Sequence, residues 1–209
     1  MRESPIPTRT QVRESLELKL QQMVAAGQIP DVITFSGNGE PTLHADFEGI
    51  IDDTITLRNK YCLTAKVSVL SNSTQIHKPQ VFSALNKIDN NILKFDSAIE
   101  NTMQLIDRPT GKTSKVEWFI ENLKKFEGRL IIQTMFIRGD FEGEKFDNTT
   151  DLEVAAWINA LKEIRPQQVM IYSLDREVPA DNLEKVTTEE LNQIAEKARN
   201  HGFIVSVAG

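Results

Sequence analysis

A chain of 209 residues with 40 % hydrophobic and 26 % charged side chains suits one globular domain and can bury a sizeable core. No apolar run approaches the roughly 18 residues that span a bilayer, and the N-terminus lacks the basic-then-apolar layout of a signal peptide, so a cytoplasmic protein without membrane contact is expected. The net charge of −6 disfavours sequence-independent attraction to nucleic acid, and the single cysteine, Cys62, excludes a disulfide framework and a Cys-rich metal site.

In chain order, residues 1–7 are polar and proline-punctuated. Thr8 and Gln11 have capping-box spacing, with Val12, Leu16, Leu20 and Met23 following at helical intervals and Gly27 past the end, so residues 8–26 are predicted helical. A first strand is expected over 31–36. A second helix carries Phe47, Ile50, Ile51, Thr54 and Leu57 on one face, and a strand over 65–70 then ends in Ser71-Asn72-Ser73-Thr74. Pro79 suits the first turn of a short helix facing inward through Val81, Phe82 and Leu85. A strand over 91–95 ends at Asp96-Ser97.

Val116, Phe119, Ile120, Leu123 and Phe126 mark an amphipathic helix closed by Gly128. The strand over 130–137 ends at Arg138-Gly139-Asp140, and 143–148 reads as a polar loop. Thr150 with Glu153 caps a helix carrying Ala155, Ile158, Leu161 and Ile164, and residues 169–172 form the next strand, ending in Ser173-Leu174-Asp175-Arg176. Thr187 with Glu190 caps a last helix through Leu191, Ile194, Ala195 and Ala198, before a final strand over 203–207.

Strands and helices thus alternate strictly, and the strands read as continuous apolar runs, the pattern of a parallel sheet covered on both faces. Parallel α/β folds bind ligands at the carboxyl ends of their strands. The polar clusters fall there: residues 36–40, 71–74, 96–97, 138–140 and 173–176.

The most informative stretch is Phe35-Ser36-Gly37-Asn38-Gly39-Glu40-Pro41-Thr42-Leu43, where a β-branched strand breaks into a turn with two glycines, a carboxylate and a proline. Gly37 and Gly39 leave main-chain groups bare for a close approach, and Glu40 adds an acceptor. By itself such a turn is also compatible with a plain strand-to-helix connection. The longer string resembles the Gly-Gly-Glu motif of the radical S-adenosylmethionine (radical SAM) superfamily, in the form found in its wyosine-synthetase-like and activase-like members. Looser matches follow at Ser71-Asn72-Ser73-Thr74, Lys94-Phe95-Asp96-Ser97, Asp107-Arg108-Pro109, Ile132-Gln133-Thr134-Met135-Phe136-Ile137-Arg138-Gly139 and Val169-Met170-Ile171-Tyr172-Ser173-Leu174-Asp175-Arg176.

The resemblance implies an incomplete parallel (β/α)6-type barrel filling residues 1–209 as one partial domain. It implies S-adenosylmethionine as cofactor, with its amino group on the loop Gly37, Asn38, Gly39 and Glu40. Ser71 and Asn72 would reach the methionine part, and Asp96 and Ser97 the ribose or the methionine carboxylate. Arg138 and Arg176 are the candidate substrate residues, since a cation at a strand end can pair with a carboxylate or phosphate. His44, His77 and His201 fall near helix ends and read as solvated or capping. Cys62, in a helix-to-strand connection, reads as a structural thiol.

The family holds a [4Fe–4S] cluster through a Cys-x-x-x-Cys-x-x-Cys loop after its first barrel strand, and thiolates are what such a cluster requires. No such run exists here. The expectation is that the first strand and the cluster loop are missing rather than mutated, so that the cluster and 5′-deoxyadenosyl radical formation belong to a longer parent chain and this chain alone is inactive. The parent's substrate is left open between tRNA, a protein and a small molecule. The exposed edge of the strand at 31–36 is expected to be covered by the N-terminal segment or to pair with a second copy in a dimer. The alternative is a non-radical α/β domain that binds a phosphorylated or carboxylated ligand or acts as a scaffold.

Overall fold

The computed structural model describes residues 6–36, 39–109, 115–174 and 183–208. They fall into two compact units, Met1–Ser71 with Gln75–Asn91, and Asn72–Thr74 with Ile92–Gly209.

In the first unit, helix α1 (Arg9–Ala25) starts from a reciprocal cap: the Thr8 side chain accepts from the Gln11 N–H, and the Gln11 side chain accepts from the Thr8 N–H. Its inward stripe is the predicted one, although Leu20 is its one fully buried residue. Ion pairs therefore do much of the work of seating it on α2 (Phe47–Tyr61). Arg9 and Arg13 reach Asp53 at 2.7 and 2.9 Å, and Tyr61 donates to Glu17 at 2.8 Å. The Arg9 guanidinium holds the Asp53 carboxyl below its usual range against the opposing effect of burial. Gly49 makes room for this contact, because a Cβ there would collide with the Arg9 guanidinium. The core of α2 is Phe47, Ile50, Ile51, Thr54 and Leu57, all buried as their spacing requires.

Strand β1 (Val32–Phe35) runs parallel to β2 (Lys66–Ser71), with Val32 opposite Lys66 and Phe35 opposite Val69. Helix α3 (Pro79–Lys87) follows, with Pro79 in its first turn. β2 is buried through Val67, Ser68 and Val69, but β1 alternates exposed and half-buried residues and leaves Val32 45 % exposed. The expectation of strands covered on both faces fails for β1, which begins the strand order.

The second unit takes the last three residues of β3 (Asn90–Lys94), then α4 (Glu100–Asp107), α5 (Val116–Lys124) and β4 (Ile131–Met135). An antiparallel hairpin follows, β5 (Ile137–Phe141) and β6 (Glu144–Asp147), then α6 (Asp151–Ile164), β7 (Gln168–Tyr172), β8 (Leu183–Lys185), α7 (Thr188–Arg199) and β9 (Val205–Ala208). The parallel order is β3-β4-β7-β9, with Gln133 beside Met170 and Met170 beside Ser206. Ile132, Thr134, Val169 and Ile171 are completely buried. Trp157 of α6 closes over that face, donating from its indole N–H to Thr134 at 3.0 Å and meeting Phe136 edge-on. Gln133, Met135, Met170 and Tyr172 are half-buried on the opposite face.

Several sequence expectations are corrected here. Alternation of helix and strand is not strict, because β6-β5-β8 form a separate antiparallel sheet. Arg138, Gly139 and Asp140 are not a strand-end loop but the middle of β5, and the presumed polar loop at 143–148 contains β6. Glu142 and Gly143, both at positive φ, make the tight two-residue turn between them, a geometry that matches the twist of paired strands. In α6, Ala155 is exposed, whereas Val154 and Trp157 are buried. Helix α4 has no sequence counterpart. No helix among the described residues is long and apolar enough to cross a membrane.

Candidate functional site

In the first unit, β1 delivers the chain to the glycine loop. Gly37, Asn38 and, further on, Arg176 lie outside the described residues. Gly39 is exposed, and a Cβ placed on it would meet no atom within 4 Å, so open space stands over this part of the loop. Glu40 then caps the short 3-10 turn Pro41–Leu43. Its Oε1 accepts from the Thr42 N–H at 3.1 Å, from the Thr42 hydroxyl, and from the Ser71 hydroxyl at the end of β2 at 2.8 Å. The structure thus brings together two of the predicted residues, Glu40 and Ser71. Three donors on one oxygen fix the carboxylate in place. A fixed carboxylate beside bare, open loop is an acceptor suited to a ligand ammonium group.

In the second unit, the predicted Asp96 is fully buried and does not face open space. Its Oδ1 accepts from the Met135 N–H at 2.9 Å, and its Oδ2 pairs with the Lys94 ammonium at 2.7 Å. Lys94 also holds Asp107, from the end of α4, at 2.8 Å. Burial pushes the Asp96 carboxyl up to about 7, and the charge of Asp107 adds to that, against the pull of Lys94 and the Met135 N–H. Burial disfavours the Lys94 charge, yet the two carboxylates together raise its pKa. Lys94 and Asp107 line a cavity of about 250 Å3 with the predicted Asn72 and with Phe95, Met103 and Phe119. Asn72 accepts from the Thr74 N–H and hydroxyl, which shapes the turn after Ser71. Sequence reasoning quoted Lys94 and Asp107 within motif strings but gave neither a site role. The available signal was a lysine inside a strand whose neighbours, Ile92, Leu93 and Phe95, are all core residues.

Two other predicted residues are committed elsewhere. Ser97 donates to the buried Glu153 at 2.7 Å and accepts from the Ile99 N–H, and so joins the start of α4 to α6. Arg138 pairs with Glu190 at 2.7 Å and Asp147 at 3.3 Å and donates to Thr149. It lines an open depression of about 720 Å3 on the antiparallel sheet together with Asp140, Lys145 and Glu184.

A further cavity of about 500 Å3 lies over the half-buried face of β4, β7 and β9. Gln133, Met170, Tyr172, Ser173, Lys185 and Ser206 contribute to its wall. Burial, and then the charge of Asp96, push the Tyr172 phenol up.

The cysteine does not suit an iron–sulfur cluster. Cys62 is 3 % exposed and packed among Leu20, Leu57 and Ala65, and burial pushes its thiol up, away from the thiolate a cluster needs. Among the described residues, no three Cys, His, Asp or Glu side chains stand together as a metal-binding group. His44, for its part, is a local brace, accepting from the Asp46 N–H through Nδ1 and meeting the Pro7 carbonyl through Nε2.

No protein-family model matches the chain. Over 153 residues it is 29 % identical to the UPF0026 protein slr1464 of Synechocystis, an alignment covering 71 % of this chain and 52 % of that protein, so the chain spans about half the length of this relative. A radical SAM methyltransferase from Sphaerobacter thermophilus superposes with a TM-score of 0.67 at 14 % identity, covering 97 % of this chain and 57 % of that one. Streptococcus suis SuiB bound to S-adenosylmethionine gives 0.66 at 13 % identity, over 94 % and 43 %. At such identities the likeness is one of fold: the chain has a mostly parallel α/β architecture shared with radical SAM enzymes.

Proposed function

We propose that this chain is most of a radical SAM core, binding S-adenosylmethionine at the carboxyl ends of its parallel strands. The observation that carries the reading is the Glu40 carboxylate, locked by Ser71 and Thr42 beside the open backbone of Gly39. In this reading Glu40 receives the ammonium group of the cofactor's methionine moiety, and the bare loop lets it approach. The cluster that supplies reductive cleavage is held by cysteines outside this sequence, since Cys62 is unsuited to it, and the chain alone is inactive. The substrate is tRNA, a protein or a small molecule of the longer protein.

Calorimetry with S-adenosylmethionine on this chain and on a longer, iron-reconstituted protein tests the reading. Binding should be measurable in the longer protein, and Gly39→Val should abolish it while leaving the melting temperature unchanged, because the added side chain enters space that only the ligand uses. Negligible binding by both proteins would favour a non-radical ligand-binding or scaffold domain, and a Gly39→Val protein that binds as tightly as wild type would remove the loop from the site.

The outer edge of β1 fits the same account. Val32 and Thr34 are exposed on it, and a strand edge with exposed apolar residues is a template for pairing. A strand of the longer protein or a second copy would cover it. Light scattering on the isolated chain should show dimer growing with concentration, and a monomer at every concentration would overturn pairing between copies.

A further inference from the structure

The half-buried face of β4, β7 and β9 presents two rows of side chains in register. Gln133, Met170 and Ser206 form one row, and Met135, Tyr172 and Ala208 the next. The opposite face of these strands is completely buried through Ile132, Thr134, Val169 and Ile171, so the chain spends its large apolar residues there. The first face instead borders a cavity of about 500 Å3, within the roughly 300–1,000 Å3 of typical small-molecule sites.

Three polar groups in its wall are uncommitted. The Gln133 amide, the Tyr172 phenol and the Lys185 ammonium have no hydrogen-bond or ion-pair partner among the described residues. By contrast Ser173 already accepts from the Val186 N–H, and Ser206 from the Gln168 amide. A half-buried amide and phenol with no protein partner among the described residues are available to hydrogen-bond whatever enters the cavity. Tyr172 has a raised pKa and stays protonated at neutral pH, available as a donor.

We propose that this cavity is a substrate pocket and that it takes a small molecule bearing one carboxylate on a short apolar body. The assignment rests on the radical SAM reading above for its role as a substrate site. Among the described residues Lys185 supplies the one cation, Tyr172 and Gln133 supply neutral donors, and Met170 and Ala208 supply the apolar contact. A single ammonium with neutral donors balances a monoanion. A phosphate dianion would be undercompensated, because Tyr172 also feels the Lys94, Asp96 and Asp107 cluster, which holds two carboxylates and one cation. Lysine is also a point charge rather than the planar fork that favours bidentate phosphate binding.

The test uses the whole chain labelled with methyl-13C methionine, whose five methionines include Met170 in the cavity wall and Met23 on α1 as a remote control. Pentanoate, its uncharged analogue pentanamide and inorganic phosphate are titrated in turn. Pentanoate should shift the Met170 methyl saturably and leave Met23 unmoved, with pentanamide binding about tenfold more weakly and phosphate moving nothing. Lys185→Met should weaken pentanoate by about the same factor, and Tyr172→Phe by less. Lys185 is exposed on the short strand β8, so the variant should fold, and Lys185→Gln serves as a second form of the same test. An unmoved Met170, equal binding of acid and amide, preference for phosphate, or indifference to both Lys185 variants would each overturn the proposal. Calorimetry with S-adenosylmethionine on the same samples separates the two readings. Cofactor binding without pentanoate binding sinks the pocket alone, whereas pentanoate binding without cofactor binding in any form of the protein sinks the radical SAM role and leaves a carboxylate site.

Discussion

Lys94 and Arg138, in the second unit, each hold two carboxylates, and they do different things. Lys94 joins Asp96 and Asp107 beside a cavity, and Arg138 joins Asp147 and Glu190 on the antiparallel sheet. The two cations are similarly shielded, at 25 % and 27 % side-chain exposure, but their partners are not: Asp96 is at 0 %, whereas Asp147 and Glu190 are both at 36 %. An ion pair with one buried member is a commitment of the fold, since removing its partner strands a charge away from water. A pair whose members all reach water contributes little and mainly orients its elements. Arg138 accordingly reads as a clasp between the hairpin and the cap of α7, and Lys94 as the group that permits a carboxylate inside the sheet.

The largest expected effect breaks the first cluster. Lys94→Met should destabilise the chain by about 3 kcal/mol at pH 8, as read by chemical denaturation, because Asp96 is left buried and unpaired. The loss should shrink at pH 5. Burial holds the native Asp96 carboxyl well above the roughly 3.9 of an unfolded aspartate even with Lys94 present. Across that window the folded state binds a proton that the unfolded state has lost, so falling pH favours the fold. Adding Asp96→Asn to Lys94→Met should restore most of the stability at pH 8. An equal loss at both pH values would show that Lys94 acts by packing and not by charge.

Arg138→Ala should cost less, about 0.5–1 kcal/mol at pH 7, since its carboxylates are more than a third exposed. Its pH signature runs the other way. Arg138, helped by the Thr187 N–H and hydroxyl, depresses Glu190 to about 2. That contribution is present above the usual carboxylate range and is lost as pH falls toward 2, so wild type and variant should converge in an acid-denaturation series. A variant that loses as much as Lys94→Met would end the distinction between clasp and buried commitment.

What the sequence legibly carries is periodic or local. The caps at Thr8, Thr150 and Thr187, the inward faces of α2, α5 and α7, and the order of parallel strands all rest on spacings within one turn or one strand, and each is found in place. The glycine turn was legible for the same reason, as a strand that stops at Gly, Glu and Pro. Ser71 was found at its strand end, and the fold shared with radical SAM enzymes agrees with the motif that suggested it.

The misreadings have a common physical cause, in that polarity was taken for exposure and for function. Residues 138–148 are rich in charge, and an edge hairpin whose backbone is satisfied by β5-β6 pairing tolerates charge as readily as a loop does. Asp96 is polar at a strand end, but only the arrival of Lys94 from two residues earlier and Asp107 from α4 decides that it lies inside the protein with its carboxyl pushed up. The same holds for the cavity wall, where Gln133, Tyr172 and Lys185 are distant in sequence and come together only through strand register and the return of β8. Sequence therefore determined the parallel strands and most of the helices and their order, though not α4 or the antiparallel sheet, because helix and strand periods are properties of a single segment. Tertiary structure alone decided which polar groups are satisfied and which are left to a ligand, because hydrogen bonds and ion pairs are made by the partner that another segment brings.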